Sequence, residues 1–487
     1  MNWTLGRMLL AGALLLPGLA EAGEAQAGEA QGGEAVAPLP EAALDVAAQL
    51  RAQALAGSGA WEVVESLTTE VGPRMAGTEA DARAVAWAVE KFGGFGFDRV
   101  YSEPVRFPVW RRGHERAEVL SPFPQPLHLA ALGRSVGTGG QPLEAEVVEF
   151  ATLADLEAAP EGSLLGRIAY VSHRMERFRD GSGYGAAVAA RGKGASVAAR
   201  HGAVAFLLRS IGTDSDRFPH TGMTRYEDDV RQIPAAALSN PDADLLSNML
   251  RRGEPVKLRL DIDVGMGAEY ESANVIAEIR GRERPDEIIL LGSHLDSWDL
   301  GTGAIDNAAG VAITVRAAAL IAALPQRPRR TIRVVAFANE EQGLIGGRAY
   351  ADAHGERIAE HVVGVESDFG AGRIYAFATS EPPPQAQGVL EQIAQALAPL
   401  GIDYMPGKGG PGPDLIPIAQ RGMPWAWLAQ DGTDYFDYHH THNDTLDKVE
   451  AAALDQNVAA YAVFAWLMAE SDVVLHRPDK SGESPVR

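Results

Sequence analysis

From Asn274 onward the chain keeps one rhythm, in which short apolar runs alternate with longer stretches of helical periodicity. The runs at 276–279, 288–291, 332–337, 362–365 and 374–378 are rich in β-branched, leucine and aromatic residues and read as strands. The stretches at 308–324, 343–354 and 384–397 read as helices. A last one, at 451–468, sets Leu454, Val458, Tyr461, Ala465 and Met468 at helical spacing. Strand, helix and strand in turn make βαβ units, and these build a parallel sheet. The expected fold is therefore α/β: a mixed, mainly parallel sheet with helices on both faces.

Parallel strands bring their C-terminal ends to one edge, so residues far apart in sequence converge there. Several of these runs end in groups that can ligate a metal. GSHLDSWDLGTGAIDNAAG (292–310) carries His294, Asp296, Asp299 and Asp306. FANEEQG carries Glu340 and Glu341, and ESDFG carries Glu366 and Asp368. The late loop YHHTHNDTLDKV carries His439, His440 and His442. The chain has no cysteine, which excludes disulfides, thiolate ligands, a cysteine nucleophile and a lipidated N-terminal cysteine.

Singly, each motif has an ordinary explanation. A His-x-Asp is usually a surface loop and a Glu-Glu a solvated helix start, and an acidic residue at a helix N-terminus is favoured by the dipole. An ordered set on successive strand ends, bedded in Gly and Ala, fits a pair of zinc ions better. Zinc accepts imidazole nitrogen and carboxylate oxygen and keeps an open position for water. One carboxylate can bridge two metals about 3.5–4 Å apart, and bound water then loses its proton near pH ~7. A neighbouring carboxylate that is not a ligand must take that proton. The adjacent Glu340 and Glu341 offer a ligand and a base, since successive residues leaving a strand point in different directions. Spacing does not choose among His439, His440 and His442.

At 487 residues the chain has room for two or three domains. Residues 1–22 read as a cleavable signal peptide, with Arg7, an apolar run at 8–19 and the small-x-small site Ala20-Glu21-Ala22. The run is too short for a membrane anchor, Pro17 interrupts it, and no later stretch is expected to span a bilayer. The expected location is secreted or periplasmic. A net charge of −22 argues against nucleic acid and anionic membranes as partners. Residues 23–43 read as an acidic low-complexity linker. Thr78 to Asp81 reads as a capping box opening a helix through Phe92, and 100–110 as one or two strands.

Residues 117–263 change character. Strand-like runs at 145–148, 168–171 and 203–208 are separated by helical stretches at 186–201 and 242–252, with no His and carboxylate cluster. They read as an inserted β-rich domain, with continuation of the main sheet as the alternative. That leaves 44–116 and 264–475 as the catalytic domain and 476–487 as a tail.

HLDSWDLGTGAIDNAAG, FANEEQG, ESDFG and HHTHNDTLDKV stand in the order found in the zinc aminopeptidase and glutamate carboxypeptidase family of exopeptidases, which the chain resembles over about 44–469. GRIAYVSHR, GASVAARHGAVAFLLRS and IPAAALSNPDADLL resemble a protease-associated domain, a module that borders the active-site mouth in relatives. The family pattern implies two Zn2+. His294 and Asp368 would complete one site, and Glu341 with a late histidine the other. Asp306 would bridge them, Glu340 would be the general base, and Asp296 would orient His294. The family's late ligand precedes by four residues an acidic residue followed by Thr. Here that pair is Asp444-Thr445, which selects His440, with His442 next.

Asp299 and Asp414 read as structural or supporting residues, and Tyr435 and Tyr438 as packing or pocket-lining ones. The resemblance implies hydrolysis of short peptides or dipeptides outside the cytoplasm through a metal-bound hydroxide. It leaves carboxypeptidase, dipeptidase and aminopeptidase specificity open. A one-zinc glutaminyl-cyclase-like acyltransferase and a non-enzymatic binding ectodomain are the alternatives, and the full ligand set stands against both. A homodimer is the assembly the resemblance implies.

Overall fold

The computed structural model describes residues 36–475. The signal peptide expected at 1–22, the linker up to residue 35 and the tail at 476–487 lie outside the described residues. The end of the linker stretch is packed rather than loose. Leu39 is buried, its N–H donates to Gln392 Oε1 at 2.8 Å, and a helix starts at Glu41.

The described strands are β1 (Arg99–Ser121), β2 (Gln125–Leu127), β3 (Leu129–Ala131), β4 (Leu143–Phe150), β5 (Ile168–Val171), β6 (Ala205–Arg209) and β7 (Ala235–Leu238), then β8 (Lys257–Ile279), β9 (Arg284–His294), β10 (Arg330–Phe337), β11 (His361–Glu366), β12 (Ile374–Thr379), β13 (Asp403–Tyr404) and β14 (Trp425–Gln430). They form one sheet in the order β13-β12-β14-β11-β9-β10-β8-β4-β5-β6-β7-β3, with β1 on β8 and β2 on β1. Around the middle, β14, β11, β9 and β10 are parallel, and β8 and β12 flank them antiparallel.

Alternation along each central strand shows how both faces are covered. Ile289 and Leu291 of β9, Val334 and Ala336 of β10 and Val363 and Val365 of β11 share a core with the helices Ala309–Ala322 and Ala451–Glu470. Ile288, Leu290, Val335 and Phe337 pack instead with Tyr350, Ala351 and Ile418 from the helices Ile345–His354 and Ile416–Ala419. Strands buried on both faces read as unbroken apolar runs, which is how 288–291 and 332–337 look in sequence. By length and apolarity alone, Ala304–Ala322 also qualifies as a membrane span, which corrects the expectation that no later stretch does. It is a core helix, apolar all round because the sheet and the Ala451–Glu470 helix cover it.

Segment 117–263 differs from a β-rich insert. Its β4, β5, β6 and β7 are parallel, and helices line both faces. Ala169, Val171, Phe206 and Leu208 pack with the helix Ser182–Arg200, whereas Ile168, Tyr170, Ala205 and Leu207 pack with Asn240–Leu250. The layer is also continuous with the main sheet, because β4 pairs with β8, and β1 and β8 run antiparallel along 23 residues each. The boundaries read at 116 and 264 fall inside those two strands. Polar stretches such as Arg111 to Arg116, exposed or half-exposed, hide the continuity from any hydrophobic pattern.

Register sets the site. His294 pairs with Phe337, and Gly292 with Glu366, so Asp368, two residues beyond Glu366, comes level with His294. Glu340 and Glu341 follow directly from the end of β10.

Candidate metal centre

His294 is fully buried at the end of β9. Its Nε2 lies 3.0 Å from Asp306 Oδ1 and 3.1 Å from Asp368 Oδ1. On the other side of Asp306, Oδ2 lies 3.3 Å from His440 Nε2, which is itself 2.9 Å from Glu341 Oε2. One carboxylate therefore presents an oxygen to each of two donor clusters. His439 stands beside the second cluster, with Nε2 3.7 Å from Asp306 Oδ2 and its ring stacked on His440 at 3.5 Å. His442 is outside, an exposed ring 5.3 Å from Phe218. The structure thus brings together His294, Asp306, Glu341, Asp368 and His440 and leaves His442 apart.

The segment that carries Asp306 is gripped from two sides. The buried Arg74 donates Nε to the Leu295 carbonyl at 2.6 Å, Nη1 to Thr302 at 2.7 Å and Nη2 to Gly303 at 2.9 Å. Burial lowers its pKa to about 10, against the pull of Asp444. Asp444 accepts the N–H of Ile305 at 2.7 Å and of Asp306 at 3.2 Å. Burial, and then repulsion from Asp306, push the Asp444 carboxyl up to about 7. At Gly301 a Cβ would stand 2.5 Å from the Thr441 carbonyl oxygen, so only glycine lets this loop lie against the late histidine loop.

His440 is held from the 117–263 segment. Its Nδ1 is 3.3 Å from the Thr221 carbonyl, and the Thr221 N–H donates to the His440 carbonyl at 3.1 Å. Next to it, His220 Nδ1 is 2.7 Å from the His439 carbonyl, and its Nε2 is 2.5 Å from Asp214. A donor at Nδ1 opposite a carbonyl leaves the other ring nitrogen of His440 free to ligate. Arg74, Asp214, His220 and Thr221 have no motif-like signal in the sequence. Asp444 is visible there only as a spacing mark.

Asp296 departs from its expected contact. His294 Nδ1 is nearest the Asp296 main-chain carbonyl, at 3.1 Å, with the carboxylate 3.5 Å away. That carboxylate accepts the Glu340 N–H at 3.0 Å, and its Oδ2 has no protein partner. Asp299 is paired with Arg112 at 2.8 Å. Tyr435 is buried 5.0 Å from His439, and Tyr438 is half-buried. Asp414 is buried with both carboxylate oxygens lacking a protein partner. Burial and the charge of Glu340 hold its pKa well above the usual range.

The two donor clusters fit bound metal. Asp296, Asp306, Glu340, Glu341 and Asp368 crowd into a volume whose two nearest imidazoles cannot offset them. Burial, with repulsion from the neighbouring carboxylates, raises Glu340 and Glu341 well above the normal carboxylate range. Buried carboxylates at this density are tolerated only beside cations. Glu341 Oε1 has no protein partner, as a ligand oxygen would lack one. Nitrogen and oxygen donors without sulfur match zinc.

The model of peptidase family M28 matches residues 274–465, which hold every one of these donors. Carboxypeptidase Q of Xenopus laevis is 34% identical over 438 residues, covering 89% of this chain and 90% of that protein. Human carboxypeptidase Q is 32% identical over 419 residues, 86% of each. The crystal structure of a peptidase M28 precursor from Shewanella amazonensis SB2B has a TM-score of 0.88 at 52% identity, covering 90% of this chain and 99% of that one. The aminopeptidase from Aneurinibacillus sp. strain AM-1 shares the fold, at a TM-score of 0.59 and 22% identity over 86% of this chain and 95% of that one. Donor clusters on the parallel strand ends and relatives that span nearly the whole chain agree: the chain belongs to peptidase family M28, alongside the carboxypeptidase Q proteins, and is a metallo-exopeptidase.

Proposed function

We propose that this chain is an extracytoplasmic two-zinc exopeptidase that hydrolyses short peptides or dipeptides. The observation that carries the reading is the split of Asp306, one oxygen toward His294 and the other toward His440. His294 and Asp368 would hold one zinc, His440 and Glu341 the other, and Asp306 would span both. When bound, such a pair polarises the scissile carbonyl and acidifies water at neutral pH. The chain itself supplies the proton path. The Glu340 carboxylate, with its raised proton affinity, takes a proton from the attacking water and returns it to the departing amine nitrogen. Asp296 fixes the start of that side chain through the Glu340 N–H. The N-terminal signal-like sequence supports export.

The test is turnover of unblocked dipeptides by protein reconstituted with zinc, with metal content measured alongside. Cleavage with two zinc ions per chain is expected. No cleavage of any dipeptide would overturn the reading. A single tight zinc with cyclisation of N-terminal glutaminyl peptides would replace it with acyl transfer.

A further inference from the structure

Arg112 stands on β1 where the main sheet passes into segment 117–263, and its side chain is 8% exposed. Every nitrogen of the guanidinium has a partner, and the partners come from separate parts of the chain. Nε donates to Asp299 Oδ2 at 2.8 Å, in the loop that leads from His294 to Asp306. Nη1 donates to Glu115 of β1 at 2.6 Å and to the Ala131 carbonyl of β3 at 3.0 Å. Nη2 donates to the Thr221 hydroxyl at 3.0 Å. Glu115 in turn accepts the Ala131 N–H at 2.9 Å, and the Thr221 hydroxyl donates to the Ala131 carbonyl at 2.8 Å, so the cluster closes on itself. A guanidinium keeps its donors in one plane, which makes such a cluster rigid.

Arg112 donates to none of the proposed metal ligands, yet two routes lead from it to His440. The polar route is Thr221. Its N–H donates to the His440 carbonyl at 3.1 Å, and its carbonyl lies 3.3 Å from His440 Nδ1. The aromatic route starts at Trp110, whose ring lies 4.9 Å from the Arg112 guanidinium. Trp110 meets Trp298 edge-on at 6.2 Å, and Trp298 meets the His440 ring at 5.8 Å. Asp299 follows Trp298 directly, so its ion pair with Arg112 also fixes where that indole stands. His440 needs such support. Its φ is +62°, a left-handed backbone that a residue with a Cβ keeps only where its surroundings impose it. Its Nε2 has to face both Asp306 and Glu341, and ligand sets work only when held to within about 0.5 Å.

We propose that Arg112 is a positioning residue for the metal site of His440 and Glu341, and that through it segment 117–263 sets the affinity of that one ion. The other site does not hang from it. His294 ends β9, Asp368 follows β11, and Asp306 is gripped by Arg74 and Asp444. The proposal rests on the two-zinc reading.

The test follows zinc release to a chelator, and the absorption of Co2+ added stepwise to metal-free protein, in wild type, Arg112→Met, Thr221→Val and Thr221→Ser. His440→Ala marks which ion is in question. In Arg112→Met that ion should bind about 10- to 100-fold more weakly, with the other retained. Thr221→Val keeps the main-chain contacts but not the hydroxyl, and should weaken the same ion by less. Thr221→Ser restores the hydroxyl and should match wild type. These two variants report even where Arg112→Met does not fold. Arg330 is another fully buried arginine, paired with Glu287 at the start of β10, on the opposite edge of the sheet. Arg330→Met should keep both ions, whatever stability it loses. Equal weakening of both ions in Arg112→Met, or unchanged binding in both Arg112→Met and Thr221→Val, would overturn the assignment. A wild type with one zinc, lost in His440→Ala and weakened in Arg112→Met, removes the two-zinc reading and keeps the assignment. Two zinc ions in wild type, both indifferent to Arg112 and Thr221, do the reverse.

Discussion

The carboxylate of Asp296 accepts the main-chain N–H of Glu340 at 3.0 Å, closer than it comes to the His294 ring it is expected to orient, at 3.5 Å. The ring is steadied by the Asp296 main-chain carbonyl, which no side-chain substitution removes. Asp296→Ala should therefore act on the base more than on the metal. We expect kcat to fall about 10- to 100-fold, as loss of a supporting partner does, with zinc content close to wild type. Asp296→Asn keeps an acceptor for the Glu340 N–H and should lose less. Parallel loss of zinc and rate in the alanine variant would return the carboxylate to His294.

Glu340→Gln keeps size and the main-chain bond to Asp296 but cannot take a proton. Hydrolysis should drop by at least about 100-fold, the scale of a lost general base, while bound zinc per chain stays unchanged by elemental analysis. Undiminished turnover would remove Glu340 from the proton path.

Asp306 and the late histidines separate by metal count. Asp306→Asn should lower zinc below two per chain and abolish activity together, because both clusters share that carboxylate. His440→Ala should remove one ion, and His442→Ala should change neither zinc nor rate, since its ring is exposed beside Phe218. Loss of zinc in the His442 variant would contradict the geometry.

Much of this was legible in the sequence, for definite reasons. Doubly buried strands such as β9 and β10 announce themselves as unbroken apolar runs, and their ends carry His294, Glu340 and Glu341 in plain sight. A parallel sheet brings strand ends together whatever the chain between them does, so Glu366 and Asp368 are both placed at that edge by the sequence, and the family resemblance chooses Asp368. The supports were hidden because they act through main-chain atoms. Arg74 grips carbonyls, Asp444 grips N–H groups, and Thr221 meets His440 through its own carbonyl. Such contacts require no residue type at a fixed spacing.

His220 gives a way to test whether segment 117–263 is part of the metal site. It ties Asp214 to the His439 carbonyl, one residue from His440. His220→Ala should weaken the zinc held by His440 about 10-fold or more, seen as faster loss of one ion of two to a chelator, with the His294 site retained. Equal release of both ions, or neither, would leave His220 a packing residue.

Asp81 gives the pH dependence of the fold. It is 3% exposed, accepting from Gly77 N–H at 3.0 Å and Ser272 Oγ at 2.8 Å, and burial raises its pKa from 3.8 to about 6. A folded pKa above the unfolded one means the folded state holds the proton more tightly. That contribution is complete below pH 3.8 and is lost as pH rises through about 6. The difference amounts to about 3 kcal/mol at most. Asp81→Asn cannot titrate, so its stability relative to wild type should rise between about pH 4 and 7 and level off above. Urea unfolding of both proteins across that range measures the difference, and a gap that does not change with pH would show that Asp81 ionises as freely folded as unfolded.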